Sequence, residues 1–139
     1  DGDLDLLVTN NGQRPLLLRN DQKLGMAWVG FDLEGKALNR DAVGTVFEYP
    51  VGDRKVRYQH VPRGSFVSAH DRRVVLGLGS ATDSIDLTLT WPDGTKQELK
   101  GLVPGRYYRL KQGEAPAPTP PRWRELRAAS SGGAPTRRD

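Results

Sequence analysis

The stretch "SIDLTLTW" at residues 84–91 sets the strongest limit on what this chain can fold into. Ile85, Leu87, Leu89 and Trp91 take every second position, with Asp86, Thr88 and Thr90 between them. A period of two is that of a pleated strand with one face buried and one face wet, and it does not suit a helix. "WPDGTK" follows, with proline, aspartate and glycine in the order of a tight turn, so Gly94 is expected in a glycine-tolerant backbone position and "TKQELK" returns as the partner strand. Val43, Thr45, Phe47 and Tyr49 alternate likewise, and so do Val56, Tyr58 and His60 against Lys55, Arg57 and Gln59, with "PVGD" as the turn between them. "AWVGFDLEG", "RVVLGLG" and "RYYRLKQ" bring the set to about seven strands, and no stretch sustains a helical period. The expected fold is all-β, a sandwich or barrel-like domain over residues 27–112.

At 139 residues the chain has room for one ordinary domain with an appendage. It has no cysteine, which removes disulfides and thiolate metal sites but leaves the compartment open. No apolar run nears the roughly 20 residues that span a bilayer. From residue 113 the composition turns Pro-rich and then Ser/Gly-rich, too poor in apolar side chains to offset its ordering entropy. Residues 113–139 are expected to be a disordered tail with Trp123 and Leu126 as its only anchors.

The opening "DGDLDLLVTNNGQ" is a separate signal. In a calcium loop of the form D-x-[DN]-x-[DN]-G-x-x-D, side-chain oxygens come from positions one, three, five and nine and a carbonyl from seven. Asp1 fits position five, Gly2 six, Asp3 seven and Asp5 nine, so two ligands would lie upstream and what remains is a half-site for Ca2+. The plainer alternative is a solvated acidic turn. "LDLLVTN", the Asn-Gly turn and "PLLLRND" then read as strand, turn and strand, half a propeller blade.

"LNRDAVGTVF", "RRVVLGLGSATDSIDLTLTWPDGTKQEL" and "LVPGRYYRL" together resemble the ASPIC/UnbV domain. Asn39, Arg40, Gly44, Gly77, Leu78, Gly79, Trp91, Pro92 and Gly94 fall where that pattern places them, while Thr45 replaces a usual alanine and Leu76 a frequent phenylalanine. The resemblance implies a secreted, periplasmic or cell-surface protein, of which the cartilage acidic protein type is one kind. In it this domain follows FG-GAP/VCBS repeats, the calcium-binding units of a β-propeller. Residues 1–22 would then be the end of the last such repeat, in the C-terminal part of a longer parent chain.

Catalysis has little to stand on. His60, His70, Asp71 and Ser68 could form a hydrolytic set on paper, but residues so close along one strand and turn rarely converge as nucleophile, base and orienting acid. Two histidines and Asp71 are too few for zinc. "GLGSATD" has neither the lysine nor the helix of a phosphate loop, so its glycines are read as a bend or bulge. Asn39, Arg40 and Asp41 are either a ligand-contacting loop or a loop pinned by side-chain bonds to backbone, and the second reading is favoured.

The formal charge of +4 is too small for a dedicated nucleic-acid stripe. Arg54, Lys55, Arg57 and Arg63, with Arg72 and Arg73, could still dock RNA or an acidic glycan, or they could guard a sheet edge. The leading expectation is a non-enzymatic interaction or structural module with a protein or glycan partner and no membrane span. A polyanion-binding module is the alternative, and the absence of interleaved aromatics argues against nucleic acid.

Overall fold

A computed structural model of the chain describes residues 3–21, 24–36, 39–62, 64, 66–81 and 83–119. Among them there are ten strands and no helix. A short hairpin comes first, β1 (Leu6–Val8) paired antiparallel with β2 (Leu16–Leu18). The following strands are β3 (Ala27–Glu34), β4 (Val46–Val51), β5 (Arg54–Gln59), β6 (Val74–Gly79), β7 (Ile85–Thr90), β8 (Lys96–Leu102), β9 (Arg106–Lys111) and β10 (Ala117–Thr119). They form two four-stranded sheets, ordered β10-β9-β3-β6 and β5-β4-β7-β8.

Strands β3 to β9 are the seven expected from alternation. Each sheet turns one side chain in two toward the other. Val29, Phe31, Val74, Leu76, Leu78, Tyr108 and Leu110 come from one sheet, and Phe47, Tyr49, Ile85, Leu87, Leu89, Leu99 and Leu102 from the other. Phe31 bridges the layers, its ring centroid 5.3 Å from Phe47 and 6.1 Å from Tyr108. Burying each such side chain is worth about 1.5–3 kcal/mol, which is why a Pro/Gly-punctuated chain with no disulfide can hold this shape.

The turns follow their residues. At the β7–β8 turn the Gly94 amide donates to the Trp91 carbonyl at 2.8 Å and Gly94 sits at φ +85. The expected bulge in "GLGSATD" is present. Ala27 pairs with Gly79 and Trp28 with Gly77, leaving Leu78 as the extra residue and Gly79 at φ +65. Tyr108 fixes the β8–β9 turn through its hydroxyl, which accepts the Val103 amide at 2.8 Å.

Two features depart from the sequence reading. β3 and β9 run parallel, in register from Val29 opposite Arg106 to Glu34 opposite Lys111, and Gln112 continues the pairing by donating to the Glu34 carbonyl. The segment assigned to a tail from residue 113 also starts as ordered structure, because Ala117–Thr119 pair with β9 as strand β10. β10 is an edge, where Pro118 has no outward N–H to satisfy. Residues 120–139, with Trp123 and Leu126, lie outside the described residues.

Candidate functional site

The loop between β3 and β4 is held from within. The Asn39 side-chain amide donates to the Val43 carbonyl at 2.9 Å, and its oxygen accepts the Val43 amide at 3.1 Å. The Arg40 carbonyl accepts the Gly35 amide, and a β-carbon at Gly35 would run into the Asn39 carbonyl. Ala42 is fully buried in a left-handed conformation, φ +51, and its carbonyl accepts both the amide and the hydroxyl of Thr45. Thr45 thus holds the loop through both its backbone amide and its hydroxyl. Asn39 pins the loop, as the structural reading expects.

Arg40 does something else. Its side chain has no hydrogen bond or ion pair among the described residues, and it lines a polar cleft of about 360 Å3 with Asp32, Leu33, Glu34, Asp41, Arg72 and Arg109. Arg72 reaches Asp41 at 3.3 Å and Asp32 at 3.8 Å, and Arg109 reaches Glu34 at 3.4 Å. Three guanidinium groups thus face three carboxylates, an arrangement able to orient a polar or zwitterionic group. It contains no nucleophile. Motif spacing pointed to Arg40 and Asp41, but nothing local showed that Asp32, Glu34, Arg72 and Arg109 would join them. A larger, shallower cleft of about 520 Å3 lies between the β4–β5 turn and β7–β8. Its charged lining includes Lys55 paired with Glu48 and Lys100 paired with Glu98.

The paper hydrolytic set is engaged in other tasks. His60 is 3% exposed, and this burial lowers its pKa below the ordinary value against opposing effects of the Asp41 backbone and carboxylate. The Ser68 hydroxyl donates to the Phe66 carbonyl, and the Asp71 carboxylate accepts two bonds from Arg73 Nε, at 3.0 and 3.1 Å. The His70 ring lies against Gly64, and its amide donates to the Pro62 carbonyl across the base of the loop.

The basic group is partly neutralised. Lys55 pairs with Glu48, Arg72 with two aspartates and Arg73 with Asp71, while Arg57 stands opposite Glu48 in the strand register. Arg63 lies outside the described residues, and so do Asp1 and Gly2. Of the acidic opening, Asp3 and Asp5 are described and exposed, and the Asp5 carboxylate accepts the Asn20 amide at 2.8 Å, tying the two ends of the hairpin together. Among the described residues no group of three or more His, Asp or Glu is placed to hold a metal ion.

A family model described as ASPIC and UnbV matches residues 35–117. The chain belongs to the ASPIC and UnbV family. The matched segment opens at Gly35, in the loop that Asn39 pins, and closes on the first residue of β10. The ASPIC and UnbV domain therefore takes in six whole strands, β4 to β9, and borrows from β3 the buried Val29, Phe31 and Leu33. No curated protein and no solved structure matches the chain. No helix among the described residues is long and apolar enough to cross a membrane.

Proposed function

We infer that this chain is a non-enzymatic extracellular interaction or structural module, in which the ASPIC and UnbV domain follows the end of a calcium-binding FG-GAP repeat of a β-propeller. The β1–β2 hairpin carries this reading. Leu6, Leu7, Leu16, Leu17 and Leu18 are each 49% to 64% exposed, so a two-stranded sheet shows apolar side chains on both faces. Such a hairpin is marginal alone and suits burial between neighbouring strands of a larger sheet. The acidic loop leading into it supplies Asp1 and Asp5 as side-chain ligands and Asp3 as a carbonyl ligand for Ca2+, the remainder coming from upstream residues. Secretion or surface display accords with that assignment.

Calorimetric titration of Ca2+ tests it on this chain and on one extended upstream through the whole loop. Because calcium takes about six to eight oxygens, this chain should bind no tighter than roughly millimolar, and the extended chain should reach the range of extracellular modules or better. Silence from the extended chain would reduce the opening to an acidic turn. The polyanion reading is weaker, because Lys55, Arg72 and Arg73 are already paired with acids. It would require binding to RNA or acidic glycan that falls steeply with salt.

A further inference from the structure

Two four-stranded sheets have four edges, and three of these carry devices that discourage another strand. β5 presents Arg54, Lys55 and Arg57. β8 presents Lys96 and Lys100 and is bulged opposite Ile85–Leu87, with Gly101 at φ +67. β10 is three residues long with Pro118 at its centre. Charge, bulges, shortness and proline are the usual means of blocking edge-to-edge pairing.

β6 is the fourth edge, and it reads VVLGLG without a charge or a proline. Its bulge is confined to the Leu78–Gly79 end, where Val51 also comes close to Gly79. From Val74 to Gly77 the strand keeps regular register with β3. An antiparallel strand bonds a given neighbour through alternate residues, so the other residues of this stretch direct their N–H and C=O groups away from the sheet. No backbone bond from Val74, Val75, Leu76 or Gly77 to a turn or loop is found among the described residues.

We propose that Val75–Gly77 of β6 pairs antiparallel with the same stretch of a second copy of this chain, joining two four-stranded sheets into one of eight. The sequence of the edge favours a copy of itself. Two-fold pairing centred on Leu76 places Val75 of each copy opposite Gly77 of the other. Val75 is half-buried on the outer face, while Gly77 is exposed with open space where a β-carbon would be. The branched side chain of one copy covers the bare backbone of the other. No charge meets its like in this register, whereas a copy approaching β5 or β8 would set cations against cations. Pairing this short gives a weak, reversible dimer.

Sedimentation velocity of the full chain from about 1 μM to about 1 mM tests it, a span covering weak association. The expected result is a concentration-dependent dimer. Gly77→Lys has room for its β-carbon and an ordinary φ, so its melting temperature should stay close to that of the parent while its dimer dissociation constant rises at least tenfold. Val75→Lys should do the same from the opposing position and decides the matter if the first variant is poorly folded. Leu7→Lys with Leu17→Lys alters only the β1–β2 hairpin and should leave the dimer intact, which separates this edge from the surface behind the proposed function. In the parent, amide exchange at Val75 and Gly77 should slow as concentration rises, because the groups of Val74 and Leu76 already face β3. A monomer throughout the range, or a dimer that folded Gly77→Lys and Val75→Lys leave unchanged, overturns the proposal.

Discussion

Tyr107 packs directly over Gly30 on the adjacent strand, so closely that a β-carbon at Gly30 would overlap its ring. Trp28 flanks that ring at 5.1 Å between centroids, and the Arg73 guanidinium sits 4.7 Å from its centre. Gly30→Ala must displace the ring and both neighbours. Overpacking of this kind should cost about 1–3 kcal/mol, read as a lower denaturant midpoint. Gly77→Ala is the control, since its β-carbon meets nothing, and it should be neutral or slightly stabilising.

Gln97 serves three partners. Its side-chain oxygen accepts the buried Trp91 indole at 2.9 Å and the Gly113 amide at 3.2 Å, and its nitrogen donates to the Glu114 carbonyl at 2.7 Å. Gln97→Leu leaves the indole N–H buried without an acceptor, so a loss of about 1–3 kcal/mol is expected in chemical denaturation. An unchanged midpoint would mean that water replaces the amide.

The same contacts make residues 113–119 part of the domain. A chain ending at Gln112 loses β10 and both Gln97 partners beyond β9, and its melting temperature should fall clearly below that of a chain ending at Thr119. Equal melting temperatures would return this segment to the tail.

His60 gives stability a pH dependence of known sign. Burial holds its folded-state pKa below the unfolded value near 6.5, so the unfolded chain takes up the proton first as pH falls. Its contribution is complete above that unfolded value and drains away as pH drops through it toward the lower folded-state pKa. Urea midpoints should therefore decline from about pH 8 to about pH 5, and less steeply in His60→Asn, where that proton uptake is gone. Parallel declines in the two proteins would assign the slope to other groups.

The domain was most legible where neighbours in sequence are neighbours in space. Alternation placed the seven strands and Pro92-Asp93-Gly94 placed a left-handed glycine, while His60, expected within a strand in phase with Val56 and Tyr58, is the buried residue just past the end of β5. The parallel union of β3 with β9 left no local mark, and with it went the cleft that gathers Arg40, Glu34 and Arg109. Ala42 at φ +51 escaped notice because alanine does not announce that conformation. β10 was missed because composition measures how much apolar surface a segment can bury, and takes no account of a vacant strand edge that needs only backbone groups.

The β3–β9 pairing also sets an order of events for a chain finding its structure. Hairpins β4–β5 and β7–β8 join residues close in sequence and can form early, at small loop-closure cost. The other sheet has β3 at its middle, flanked by β6 and β9, so the oldest strand of the domain must wait for the seventh before its second edge is closed. During synthesis at a ribosome, Val29, Phe31 and Leu33 therefore stay without their final neighbours until Leu110 has emerged. Arrested chains ending before β9 should accordingly remain protease-sensitive around β3 while the two hairpins are already protected.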